Sequence, residues 1–371
     1  MEFNNVYKGK KVFITGNTGF KGSWLSTWLL NLGAQVYGYS KDIPTTPSMF
    51  EALDLENKCS HTYGDIRNKE SLHRAITEAK PDFIFHLAAQ SIVSTSYKDP
   101  LETISTNVMG TAVILDIIKE IDFECSCIII TSDKAYDNVE WIWGYRENDR
   151  MGGKDIYSGS KGAAELIINS YIQSFISKKS NIKIATVRAG NVIGGGDWSA
   201  DRIVVDCINA FTKDQIIELR SPSATRPWQH VLEPLSGYLT TGQYLYENDF
   251  INGEAFNFGP SSEQIRTVYE LASELENKWF GESKSKVQIT DNIPFEEAKL
   301  LKLNCDKALA YIQWKATLEF NHILDYIVEW YQCFYKNPEA TFDLTTKQIQ
   351  EYTNQAKLHG VKWAINHDSR D

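Results

Sequence analysis

Tyr157 and Lys161 stand four residues apart in the string Tyr157-Ser-Gly-Ser-Lys161. That spacing puts both side chains on one face of a helix. An ammonium beside a phenol favours the phenolate, so the pair is expected to lower the tyrosine's pKa toward a value useful for general base catalysis. Tyr-x-x-x-Lys also occurs on ordinary helix surfaces, so its meaning rests on what accompanies it. Upstream, Gly16-Asn-Thr-Gly19-Phe-Lys-Gly22 follows an apolar stretch and opens a helical period, with Thr18 and Phe20 between its glycines. In that context a glycine-rich turn seats a dinucleotide pyrophosphate on a helix N-terminus. The first glycine permits the tight turn, the second lets phosphate approach the backbone, and the third allows helix against strand. The next strand ends in Tyr39-Ser40-Lys41-Asp42, with no acidic residue at the usual place for the adenosine ribose. Either Asp42 serves two positions late, or Ser40 and Lys41 admit a 2′-phosphate.

These residues need a scaffold, and the chain reads as one. Lys11–Thr15, Gln35–Tyr39, Asp82–His86, Cys127–Thr131 and Ile182–Val187 are short apolar runs of strand type. Phe20–Leu32, Ser71–Ala79, Leu101–Ile121 and a long segment from near Tyr157 carry helical spacing. Continuously apolar strands alternating with helices predict an α/β fold, a Rossmann-type doubly wound parallel sheet covered on both faces. After about Gly190 the texture changes, with Gly194-Gly-Gly196, Pro222, Pro227 and Pro234 breaking the rhythm. This predicts a dinucleotide-binding domain over 1–190, whose core could include later returns such as 225–260. A smaller α/β substrate lobe would occupy 191–335, and a polar, partly helical tail 336–371. Leu318–Phe334 reads as an amphipathic packing helix.

With 371 residues, 42% of them hydrophobic, the chain can bury a large core. A net charge of −10 argues against nonspecific nucleic-acid binding but allows a local basic pocket for phosphate. No apolar run is expected to span a bilayer, no secretory leader is read at the N-terminus, and the six cysteines lack zinc-type spacing. A cytoplasmic protein without a metal centre is the expectation.

Gly16–Gly22, Gly64-Asp65-Ile66, His86-Leu-Ala-Ala-Gln90, Asn107, the Ser132 region and Tyr157/Lys161 together resemble the extended short-chain dehydrogenase/reductase family. Longer strings point to its sugar-nucleotide dehydratases: Thr18-Gly-Phe-Lys-Gly-Ser-Trp24, Pro47-Ser-Met-Phe-Glu51, Trp141-Ile-Trp-Gly-Tyr-Arg-Glu147, and the segments 189–198 and 224–237. The resemblance covers about residues 8–335. It implies a tightly held NAD and CDP-glucose as substrate, oxidised at carbon 4, dehydrated across carbons 5 and 6, and reduced at carbon 6. Tyr157 would take the 4-hydroxyl proton, Ser132 would hydrogen-bond the reacting oxygen, and Lys161 would hold the nicotinamide ribose. Asp133 would be the acid for the departing hydroxide. Lys134 stands where the deoxythymidine-sugar dehydratases carry a glutamate base. It would act either as a neutral base at carbon 5 or as a cation stabilising the enolate.

Asp65 and Ile66 would sit at the adenine, and Ala88, Ala89 and Gln90 along the cofactor's far side, Gln90 also reaching substrate. Asn107 lies within a helix, where a buried amide is costly unless bonded. It would bridge backbone near the site or else stand exposed. Arg202, Arg220 and Arg226 are candidates for the diphosphate, because a guanidinium binds phosphate bidentately. Asn191 would meet phosphate or sugar. His230 is either a substrate contact or a core histidine beside Trp228, and His86 reads as structural. The resemblance also implies a homodimer or higher assembly. Two rivals share the fold: a 4-epimerase, which has no use for an acid and base at 133 and 134, and a cofactor-sensing protein, which has no use for Tyr157.

Overall fold

The computed structural model describes residues 2–219, 221–261, 264–282, 284–290 and 300–365. Seven strands form its central sheet: β1 (Lys11–Thr15), β2 (Gln35–Ser40), β3 (Ser60–Tyr63), β4 (Phe83–His86), β5 (Cys125–Ile130), β6 (Ile182–Ala189) and β7 (Ala255–Phe258). They lie in the order β7-β6-β5-β4-β1-β2-β3, and every pairing is parallel. The predicted doubly wound sheet is therefore present, with Ala255–Phe258 as its outer strand. The order reverses between β1 and β4, where Thr15 pairs with His86. Ligands of such sheets bind beyond the carboxyl ends of the strands at that reversal.

Apolar packing on the two faces explains the continuous strand hydrophobicity. One face is covered by α1 (Phe20–Asn31), the other by α2 (Lys69–Ala79), α3 (Pro100–Ile118) and α4 (Ile156–Ser174). Helix α5 (Leu232–Glu247) lies beside α1, nearly every residue of it buried. Against the sequence expectation, α3 is long and apolar enough to cross a membrane by length and composition. Its buried side instead packs Ile114, Leu115 and Ile118 into the core, as helices of many folded domains do.

Outside the central sheet lie short paired strands, Ile217–Leu219 with Val287–Ile289 and Thr225–Pro227 with Ile265–Thr267. The segment read as a polar tail forms α7 (Thr341–Leu358), packed on α1 and on α6 (Phe320–Lys336). Trp363 stacks on Phe3, ring centroids 4.8 Å apart, and Tyr352 donates to Glu233 at 2.8 Å. The far ends of the chain thus close over the same core.

Candidate active site

The glycine turn joins β1 to α1 with no side chain capping the helix. Gly16 has φ +77°, and a Cβ there would lie 2.8 Å from the Ala88 nitrogen. A Cβ on Gly22 would lie 2.1 Å from the Gly16 carbonyl oxygen. Both glycines are demanded by the protein's own packing. At Gly19 the nearest atom to an added Cβ is that carbonyl, at 3.4 Å, so this edge of the turn is open for a ligand. Thr18 braces the turn by donating to the Asp42 carbonyl at 2.7 Å, and Ser40 donates to Asn17 at 2.8 Å. Lys41 lies 3.6 Å from Glu102. The two residues weighed for a 2′-phosphate are thus engaged within the protein. Phe20 begins α1.

Asp65 takes the Arg67 fork at 2.6 to 3.1 Å, which holds its carboxyl below the usual range, and Ile66 is buried against Gly110. The Ala88 amide donates to Thr15 at 3.2 Å, and Ala89 is half-buried after it. Asn107 occupies a π-helical turn, Ser105–Met109, within α3. Such turns recur at functional sites. Its amide receives the Gln90 N–H at 2.8 Å and donates to the Gln90 carbonyl at 3.0 Å and to Ser160 at 2.9 Å. This is the bridging role, and it ties the β4 end to the helix of Tyr157. The Gln90 side chain is itself spent on Thr103 and the Ile92 carbonyl.

Asp155 caps α4 by accepting from the Ser158 amide at 2.9 Å, which sets Tyr157 in the first turn and Lys161 one turn on. The Lys161 ammonium is 6.0 Å from the Tyr157 ring centroid. Burial pushes the Tyr157 phenol up to about 12, against a hydrogen bond with Ser132 that lowers it. The expected lowering by Lys161 is therefore overturned in the protein alone, because desolvation penalises the phenolate more than its neighbours favour it. Burial likewise brings Lys161 down to about 8, with Glu165 opposing. Ser132 caps the short turn Asp133–Ala135 after β5, donating to Asp133 at 3.0 Å and accepting from the Lys134 amide at 3.3 Å. Asp133 is buried and faces Gly190, where an added Cβ would lie 1.8 Å from its carboxylate. Lys134 is half-buried. A small cleft opens beside Asp133, lined also by Asn191, Gln229, Pro260 and Leu303 among others.

Of the remaining candidates, Arg202 lies 3.4 Å from Asp197, and its charge reaches Tyr157. Arg226 sits on the strand next to the cleft residue Pro227 and donates to the Thr225 carbonyl at 2.9 Å. Arg220 lies outside the described residues. His230 is corrected to a core residue: it is fully buried with Trp24 and Tyr326 edge-on, and burial brings its imidazole down to about 3. A sugar nucleotide has no surface of it to touch. His86 is likewise buried, 2.7 Å from Thr15.

Lys21 is the residue that sequence reasoning missed. Burial lowers its amine to about 8, and Arg202, Asp133 and Lys161 are the next charges acting on it. Its place inside a glycine fingerprint, where a backbone-bound phosphate needs no side chain, was the available signal. Among the described residues no cluster of three or more His, Cys, Asp or Glu could hold a metal.

A parallel sheet with a glycine turn at its reversal, Tyr157 hydrogen-bonded to Ser132 and Lys161 one turn on defines a dinucleotide-dependent oxidoreductive fold. Within it, the chain belongs to the GDP-mannose 4,6 dehydratase family, whose profile matches residues 13–327. The CDP-glucose 4,6-dehydratase of Salmonella typhimurium is 44% identical over 352 residues, covering 94% of this chain and 97% of that protein. The dTDP-glucose 4,6-dehydratase of Bacillus anthracis, crystallised with NAD, superposes with a TM-score of 0.73 at 19% identity, covering 91% of this chain and all of that one. The UDP-glucose 4-epimerase of Thermotoga maritima superposes with 0.76 at 19% identity, covering 88% and 100%. Dehydratases and epimerases share this fold, so the backbone alone does not separate them.

Proposed function

We infer that this chain is an NAD-dependent hydro-lyase converting CDP-D-glucose to CDP-4-dehydro-6-deoxy-D-glucose and water. The observation that carries the reading is the 44% identity with a CDP-glucose 4,6-dehydratase across nearly the whole of both chains. The acid and lysine at 133 and 134, directly after Ser132 at the end of β5, give it a chemical basis. The open Gly19 edge and the uncapped start of α1 suit a dinucleotide pyrophosphate.

When bound, NAD supplies a hydride acceptor for carbon 4 and later a donor for carbon 6. Tyr157 takes the 4-hydroxyl proton while Ser132 hydrogen-bonds the same oxygen. Lys161 holds the cofactor ribose, and its positive charge favours the phenolate that burial disfavours. The 4-ketone acidifies the proton on carbon 5, which Lys134 removes. Asp133 gives its proton to the hydroxide leaving carbon 6. Arg202 and Arg226, with Asn191, would meet the diphosphate and sugar.

The protein is also proposed to be a cytoplasmic homodimer of a polysaccharide-precursor pathway. Its six cysteines are all unpaired, which suits a reducing compartment. The neighbouring helices α3 and α4 leave Leu101, Ile104, Met109 and Leu166 exposed, which suits burial against a second copy.

The test is incubation with CDP-glucose beside UDP- and dTDP-glucose, reading the alkali-induced ultraviolet chromophore of a 4-keto-6-deoxy product. Chromophore from CDP-glucose alone is the expected result. A galactose epimer without chromophore would make the protein an epimerase, and no turnover of any sugar nucleotide would make it a sensor.

A further inference from the structure

Behind the cleft lies a second polar cluster, to which the chemistry above gives no part. Glu165 stands one turn after Lys161 on α4, and Arg188 lies on β6. Their side chains are 5% and 4% exposed, and they meet fork to fork, with both N–O distances 2.8 Å. Thr131, the residue before Ser132, donates its hydroxyl to Glu165. The third guanidinium nitrogen donates to the Tyr136 hydroxyl at 2.6 Å and to the Glu147 carbonyl at 2.9 Å. Tyr136 passes on to Asn257 at 2.8 Å, and Asn257 in turn binds Glu147 and Tyr145 at 2.9 and 2.8 Å.

This hub joins three segments that carry or enclose the site. They are the β5 end with Ser132, Asp133 and Lys134, the helix with Tyr157 and Lys161, and the segment 136–147. A desolvated ion pair adds little net stability compared with apolar residues of the same shape. Stability therefore does not explain its presence, whereas geometry and charge do. Two parallel N–H···O bonds fix α4 against β6 at a set distance and angle. The Thr131 hydroxyl carries that restraint to the residue next to Ser132. The charge of Glu165 also acts on Lys161, favouring the ammonium that burial opposes.

We propose that Glu165 and Arg188 are positioning residues of the dehydration: they set the Ser132 turn against the Tyr157 helix and hold a carboxylate one turn beyond Lys161. The proposal rests on the reading of the site as an oxidoreductive dehydratase. The groups facing Lys161 are Tyr157 and Glu165 on its own helix, Lys21 on α1 and His86 on β4. His86 is held neutral well below the working range, and Lys21 repels. Glu165 is the one of these four that supports the cation.

The experiment is the pH profile of kcat with CDP-glucose for the wild type, Glu165→Gln, Glu165→Asp and the charge-neutral pair Glu165→Gln/Arg188→Met. Glu165→Gln is expected to move the alkaline limb about one pH unit lower and to cut kcat roughly fivefold at pH 8, with KM nearly unchanged. Glu165→Asp should return the limb toward the wild-type position. The double variant should fold, by its thermal transition, yet keep the shifted limb. An unshifted limb in folded Glu165→Gln, or a loss equal at every pH, would overturn the proposal. Unfolding of all three variants would also overturn it, since the pair would then serve folding alone. A wild type that forms no keto product from any sugar nucleotide would instead defeat the functional reading, a separate outcome.

Discussion

At the residue scale, the chemistry turns on how burial and charge divide protons between Tyr157 and Lys161. Tyr157 alone is a poor base, its phenol up at about 12. The proposed mechanism requires Lys161 charged beside it, and burial brings that amine down to about 8. Above its pKa a lysine is neutral, so kcat should fall as pH rises through about 8, and a stopped assay across pH 6 to 10 checks this. The proposed mechanism gives Lys134 the separate task at carbon 5. Lys134→Met should lower kcat by about 10²–10⁴-fold. It should also abolish exchange of the carbon-5 proton with deuterated solvent while leaving oxidation at carbon 4. Retained exchange would remove Lys134 from the elimination. The types and spacing of Ser132, Asp133, Lys134, Tyr157 and Lys161 were readable along the chain, because each pair is local. The protonation of Tyr157 was not, since desolvation is set by residues distant in sequence. Lys21 and His230 differ for the same reason: one is buried among the charges of Arg202, Asp133 and Lys161, the other in an aromatic pocket.

At the element scale, strand ends deliver the site. The turns after β1 and β5 and the first turn of α4 converge at the sheet's reversal, and the start of β4's following loop is pinned to α4 through Asn107. Gly190, just past β6, is the clearest case of an element end shaped for a catalytic neighbour. Gly190→Ala would place a methyl 1.8 Å from the Asp133 carboxylate, so that carboxylate must move. A displacement of that size is expected to cost about 10²-fold in dehydration rate. Circular dichroism should report an intact fold, and unchanged turnover would show that Asp133 has slack. The strands and main helices were legible from apolar runs and helical spacing, which local physics sets. The π turn at Asn107 was not, because it arises where α3 must present an amide to both Gln90 and Ser160.

At the scale of the whole molecule, buried titratable groups govern how the fold responds to acid. His86 and His230 are both brought down to about 3 from an ordinary 6.5. The unfolded chain takes up those protons first, so their contribution is present above pH 6.5 and is lost as pH falls toward 3. Glu233 runs the other way: its carboxyl is raised from 4.5 to about 7, so its contribution is present below 4.5 and lost as pH rises to 7. Between pH 6.5 and 4.5 the sum is one histidine's worth, about 1.4 kcal/mol lost per pH unit. Urea unfolding at several pH values should show that slope, and Glu233→Gln should roughly double it. An equal slope in both proteins would rule out the Glu233 contribution. The amino-acid sequence by itself determined the alternating α/β plan, the dinucleotide turn and the catalytic residue types, because each is written in contacts of a few residues. Only the tertiary structure decided that the outermost strand is Ala255–Phe258, that the C-terminal segment closes on Phe3, and that Glu165 and Arg188 meet behind Lys161. Those are pairings between distant parts of the chain, and burial, which sets their energies, exists only once the chain has packed.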